Sequence, residues 1–232
     1  NWEFGASVAD RYKAPWFRED YAFRSSRNEK AGTLLSLGAA GVVGNGIKLD
    51  FGYAALADGP RRMLHARLVN GAADNEYSMA LYVVRDPHLF NAASAQAALA
   101  WRRSSGPYTW RAEATYTHAP LRDPARVGNF VYRITSQFGA SNGKYAVWWN
   151  NRSDFNHDGE WAVFGSLERR FDDFGWSGGR AGMSLAAGWA NSPIAGVDDL
   201  REQAVSVFAS HSWGSGQFKG ASLGVHVTRY FN

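Results

Sequence analysis

A strict two-residue alternation, returning along most of the chain, constrains the fold more than any other feature. In the run Ile47-Lys48-Leu49-Asp50-Phe51-Gly52-Tyr53-Ala54-Ala55, the residues Ile47, Leu49, Phe51, Tyr53 and Ala55 share one face, and Lys48, Asp50 and Gly52 share the other. A period of two is a β-strand. Tyr108, Trp110, Ala112, Ala114 and Tyr116 likewise oppose Thr109, Arg111, Glu113, Thr115 and Thr117. Phe130, Tyr132, Ile134 and Phe138 oppose Arg133, Thr135 and Gln137, and Ala181, Met183, Leu185, Ala187 and Trp189 oppose Gly182, Ser184, Ala186 and Gly188. Less regular copies cover 2–10, 15–23, 32–43, 62–70, 76–85, 95–103, 143–152, 160–171, 202–213 and 222–231. Turn signals separate them: Gly44-Asn45-Gly46, Asp58-Gly59-Pro60, Ser104-Ser105-Gly106-Pro107, Ala140-Ser141-Asn142-Gly143 and Trp213-Gly214-Ser215-Gly216. No stretch keeps a helical period over three turns. The pattern predicts one all-β domain over 1–232, an antiparallel up-and-down array of about twelve to fourteen strands.

Such arrays form soluble sandwiches and barrels or membrane-spanning barrels, which differ in where the apolar face points. A soluble domain buries that face; a membrane barrel turns it to lipid and keeps charge, Gly, Ser and Thr around a wet lumen. The segments here run near the length that a tilted strand needs to cross hydrocarbon, longer than the usual soluble strand. Aromatic residues sit near segment ends, among them Trp2, Trp101, Tyr108, Tyr116, Trp161, Trp189 and Phe231, as interfacial girdles require. The apolar face is also rich in Ala and Gly, thin for a soluble core yet acceptable against lipid. On these residues the chain resembles bacterial outer-membrane β-barrels as a class. The segment Leu223 to Phe231 looks like the aromatic-ended last strand of that class, although Arg229 interrupts its alternation and Asn232 follows the aromatic. The resemblance implies a Gram-negative outer-membrane location and contact with membrane lipid and lipopolysaccharide. It leaves porins, polysaccharide-export barrels and autotransporter translocators open.

Composition removes other classes. With no cysteine, thiol catalysis and thiolate metal sites are excluded. No window of about eighteen apolar residues exists, so no transmembrane helix is predicted. The formal charge of +4 comes from scattered Lys and Arg, which signals no nucleic-acid patch. Asn1 in place of methionine suggests a processed form or a piece of a longer protein, such as the C-terminal barrel of a secreted one. With fourteen strands and both ends of the chain in the periplasm, the longer connections 86–94, 118–127, 153–160 and 190–201 fall on the periplasmic side, the reverse of the usual arrangement. A strand miscounted by one is the simpler explanation; unusual periplasmic loops that meet a partner are the other.

The polar face supplies the candidate pore lining: Lys48, Arg67, Arg102, Arg111, Arg133, Arg170 and Arg180 with Glu113, Gln137 and Glu168, and Asp50 beside them. Fixed guanidinium groups in a narrow water-filled channel attract anions, and their fork suits carboxylate, sulfate or phosphate. The expected function is passage of small polar solutes, anionic or saccharide, or of a polysaccharide, with no enzymatic step and no cofactor. The bland alternative is that Arg and Glu pair across the lumen and plug it. Asp154, Asn156 and Asp158 with Gly159 have the opening spacing of a calcium loop, but Gly165 stands where the twelfth-position carboxylate belongs, so a plain Asp/Asn/Gly turn explains them. His211, between Ser210 and Ser212, would serve a lipid hydrolase only with a serine from a neighbouring strand, because adjacent strand residues point to opposite faces. Asp154, Asp158, Glu160, Asp172, Asp173, Asp198 and Asp199, in the connections 153–160, 172–179 and 190–201, read as solvated loop charge, with a docking surface or cation bridging to lipopolysaccharide as the alternative.

Overall fold

The computed structural model describes residues 2–9, 33–57, 59–128 and 155–231. Eleven strands form one sheet in which every neighbour in space is the neighbour in sequence. They are β1 (Trp2–Ala9), β2 (Leu34–Val43), β3 (Ile47–Leu56), β4 (Arg62–Ala72), β5 (Asn75–Arg85), β6 (Ser94–Ser105), β7 (Tyr108–His118), β8 (Trp161–Arg170), β9 (Gly179–Ala190), β10 (Leu200–Ser212) and β11 (Ser222–Phe231). All pairings are antiparallel. The expected strands over 15–23, 130–138 and 143–152, together with Arg133, Gln137 and Asp154, lie outside the described residues.

Register carries the alternation from strand to strand. Phe51 stands between Ala39 and Ala66, Leu99 between Met79 and Ala114, and Val207 between Met183 and Val227, so one face is apolar from edge to edge. These large side chains are exposed, an arrangement that water would punish and lipid rewards. Aromatics border the apolar band. Tyr116 and Trp161, with rings 4.8 Å apart, adjoin Trp189 at one end, and Tyr77, Trp101, Trp110 and Tyr108 stand at the other. Tyr116 and Tyr108 lie on the same face of β7, about 26 Å apart along the strand at roughly 3.3 Å per residue, which a tilt of about 40° brings near the height of a lipid-facing band. Arg229 does stand on this face, opposite Val205, and its guanidinium lies 5.0 Å from the centre of the Phe231 ring near the strand end, where a long cation snorkels.

The two ends of the sheet differ. At one, tight turns at residues 44–46, 73–74 and 106–107 join successive strands, beside the longer connections 171–178 and 213–221. Gly106, at φ 54°, precedes Pro107 in a two-residue turn whose first position demands the left-handed region. At the other end the connections 86–93, 119–160 and 191–199 are long. β1 begins at the short-turn end and β11 finishes at the long-connection end, so the conflict created by placing both on one side disappears.

Long connections also turn inward. Leu89, Phe90, Ala119 and Leu121 pack on Met63, Val84 and Tyr82, and Arg61 fastens Asp86 at 2.8 Å. Phe155 packs on Ala162, Phe164, Ala186 and Ala204, with Tyr230 alongside. All of these wall residues lie on the polar face, so two apolar plugs sit on it near one end.

Candidate functional site

The polar face is a grid of cross-strand rows. One row runs Gly71, Glu76, Arg102, Arg111, Ser166, Ser184, Ser206, Thr228 across β4 to β11. The next, toward the short turns, runs Ser104, Thr109, Glu168, Gly182, Phe208, His226, and Arg170, Arg180 and Ser210 follow it. Lys48, Asp50 and Arg67 share this face on β3 and β4.

Within that grid the charges are not evenly available. Asp50 is held by Arg67, at 2.7 and 2.8 Å, and by the His65 ring at 2.6 Å. Glu168 lies 3.6 Å from Arg111 and 3.8 Å from Arg180, and Arg180 also donates to Ser210 at 2.7 Å. Arg102 donates to the Ala73 carbonyl and Arg170 to that of Gly106. Glu113 is buried between Ala100 and Phe164.

The expected cationic excess is not what the described strands carry. Lys48, Arg67, Arg102, Arg111, Arg170 and Arg180 share the polar face with Glu3, Asp50, Glu76, Glu113, Glu168 and Glu202, which is formal balance. Glu3, Glu76 and Glu202 lie in the less regular segments. The accessible part leans positive: Lys48, Arg67, Arg170 and Arg180 are exposed, Arg67 and Arg180 at 43% and 45% of the side chain, against one exposed acid on the described strands of this face, Glu3, while Glu168 is at 10%.

A second cluster lies where the 155–160 segment meets the wall. Glu160 Oε2 accepts the His157 backbone N–H at 2.8 Å and faces the His157 Nδ1 at 3.0 Å. Glu202 Oε1 lies 3.6 Å from the same nitrogen, and the Tyr230 hydroxyl donates to Glu202 Oε2. Both glutamate side chains are shut off from solvent, at 0% and 1%, so Glu160 is not the solvated loop charge expected of it: the connection folds back and buries it against the wall. Gly188 makes the room, since a Cβ there would run into Glu160 Oε1. Burial works against a charged imidazole, yet the two carboxylates outweigh it and hold His157 up at about 9. Burial, with Glu202 adding to it, lifts the Glu160 carboxyl to about 7 against the pull of the His157 hydrogen bonds.

Other expected site residues are otherwise engaged. Asn156 is buried, and Asp158 accepts the Ala119 backbone N–H at 2.6 Å beside His118 at 3.5 Å, which makes it a clasp between two connections. His211 stands opposite Gly179 and Leu223, stacked 5.8 Å from Trp176 and edge-on to Trp213. The cross-strand serine that a hydrolase would need is absent from both partner positions.

No family model matches the chain. Chitoporin of Escherichia coli strain K12 is 28% identical over 254 residues, spanning 99% of this chain and 53% of that protein. The crystal structure of Pseudomonas aeruginosa OccK10 (OpdN) matches 99% of this chain and 63% of that one with a TM-score of 0.69 at 15% identity. The P. aeruginosa OpdK structure with vanillate matches 88% and 52% with a TM-score of 0.64 at 14% identity. In sequence and in fold, this chain is similar to outer-membrane porins. The porin-like chain thus spans about half the length of the curated relative. Among its described strands β1 pairs only with β2 and β11 only with β10, and the sheet has the two edges of an open arc.

Proposed function

We propose that the porin-like chain forms wall and lining of an outer-membrane channel that passes small polar solutes, anionic or saccharide, over its arginine-bearing face. The observation that carries this reading is the pairing of an apolar, exposed outer face with an inner face on which Glu113, Glu168 and Glu202 are buried, Asp50 and Glu76 are half-buried and Glu3 is exposed, while Lys48, Arg67, Arg170 and Arg180 reach into the open. An anion entering such a channel meets guanidinium groups first, and the acids behind them hold the guanidinium groups in place. Arg102, Arg111, Glu113 and Glu168 complete this lining, and the relatives support both solute classes. One bears the name chitoporin, and OpdK was solved with vanillate, a carboxylate.

In this reading the short-turn end is periplasmic and the long-connection end is outside, as in other outer-membrane barrels. The inward-folded plugs then narrow the outer mouth. Asp198, near that mouth, is placed for divalent-cation bridging to lipopolysaccharide, and a periplasmic partner would meet the other end.

The test is the reversal potential of the full-length protein in planar bilayers under a salt gradient. Anion-favouring steps are expected, shifting toward cation preference in Arg67→Ala and Arg180→Ala. Protein that inserts without conducting, or whose selectivity ignores both substitutions, would overturn the proposal.

A further inference from the structure

Two buried carboxylates facing one another cost free energy unless something positive lies between them. Among the described residues, the His157 imidazole lies beside Glu160 and Glu202, and a tyrosine hydroxyl donates to the far oxygen of Glu202. Glu160 Oε1 is buried without any hydrogen-bond donor, although its side chain is fully enclosed. An acceptor shut away in this state is short of a positive neighbour.

The geometry points to a binding site for one divalent transition-metal ion, of the zinc type, held by His157 Nδ1 and the carboxylates of Glu160 and Glu202. Ligand atoms of the three residues all lie within 4.8 Å of one another. The imidazole nitrogen is 3.0 Å from one carboxylate oxygen and 3.6 Å from the other. Those separations bracket the roughly 3.3 Å between neighbouring ligands of a tetrahedral ion with bonds of about 2.0–2.1 Å. One nitrogen and two carboxylates suit zinc and its neighbours, whereas calcium takes about six to eight oxygens, more than these residues provide.

Charge leads to the same class of ion. A neutral imidazole with two carboxylates carries two negative charges, and a divalent ion cancels both. Tyr230 adds the outer hydrogen bond that orients a ligating carboxylate, and Gly188 leaves space for Glu160. His157 is on the solvent side, with 24% of its side chain exposed, so the ion has a route in and the fourth ligand position opens toward water. Glu202 belongs to β10, and His157 and Glu160 belong to the segment before β8. A bound ion therefore ties an inward-folded connection to the barrel wall, whatever solute passes.

Full-length protein, stripped with EDTA in detergent and titrated with zinc chloride in a calorimeter, should bind one ion per chain. His157→Ala and Glu202→Gln should each weaken that binding at least about tenfold, the lower end of what even outer partners of a metal site contribute. Each variant must first show wild-type strand content by circular dichroism. Zinc should also slow chymotryptic cleavage at Phe155 in the wild type. Zinc-edge X-ray absorption, which needs no variant, should find one imidazole among oxygen ligands. No saturable binding, equal binding by both folded variants, or a shell with several imidazoles or none would overturn the site and leave His157 as a protonated bridge.

Discussion

Glu168 stands on β8 and Glu160 in the segment just before it, and the two live in opposite surroundings. Glu168 lies between two guanidinium groups of neighbouring strands, Arg111 and Arg180, on a stretch of wall open to the lumen. Glu160 lies in a folded connection, enclosed beside a second carboxylate and the His157 imidazole. Residue type does not separate them, since both are glutamates close to the same strand. What separates them is cover: the open wall leaves guanidinium groups accessible, while the covered wall uses charge to hold a connection.

The largest effect should come from removing the His157 imidazole of the covered cluster. With metal chelated, His157→Ala strands two enclosed carboxylates. Breaking a buried pair costs roughly 3–5 kcal/mol, discounted here to about 2–4 kcal/mol because His157 is partly solvated. Chymotryptic cleavage at Phe155, a residue buried in the folded segment, should accelerate accordingly. If cleavage is unchanged, the contrast between the covered and open walls loses its basis.

Titration should reproduce that loss reversibly. His157 is held above its ordinary 6.5, up to about 9, so its contribution is complete below about 6.5 and disappears as the pH rises through about 9. Glu160, lifted to about 7, loses its proton lower in the same window and adds negative charge in the same direction. In EDTA, cleavage at Phe155, corrected for the protease's own pH profile, should therefore rise between about pH 7 and pH 9.5. A rate that falls over this range would reverse the assigned charge states.

Gly188→Ala tests the same region sterically. The added methyl collides with Glu160 Oε1 and presses toward Phe155, and overpacking of this kind costs about 1–3 kcal/mol, measurable by the same cleavage. On the open wall, Arg111→Ala should leave cleavage at Phe155 untouched and move the reversal potential toward cations by less than Arg180→Ala does, since Arg111 is the more buried of the two. The smallest effect is expected at Ser206→Ala, which removes a hydroxyl pair with Thr228 at 2.8 Å worth about 0.5–1.5 kcal/mol in thermal stability.

Alternation alone makes the open wall readable. It puts Lys48, Arg67, Arg102, Arg111 and Arg180 on the polar face, and register confirms the shared face. Glu76 and Glu202 carry the same signal, in segments where Gly71 or a loop end blurs it. The covered cluster was not legible. His157 and Glu160 sit in an irregular connection, and their meeting with Glu202 depends on a tertiary fold-back that no local period encodes. The Asp and Asn spacing at 154–158 drew attention to the right connection for another reason, since Asp158 bonds the Ala119 backbone.

Because each strand pairs only with its neighbour in sequence, the work of assembly is unevenly distributed along the sheet. Three residues separate β2 from β3, but 42 separate β7 from β8. Pairing strands that lie so far apart in sequence costs more chain entropy than closing a tight turn. The contacts that meet this cost are backbone bonds at that junction, Thr117 to Glu160 at 2.9 Å and Gly159 to Thr117 at 3.0 Å, with Asp158 on Ala119 beside them. Hairpins on either side can form from local contacts, so the joining of β7 to β8 is the natural slow step in the sheet's assembly. The same few residues that cover the inner wall would then also set the pace at which the two halves of the sheet find each other.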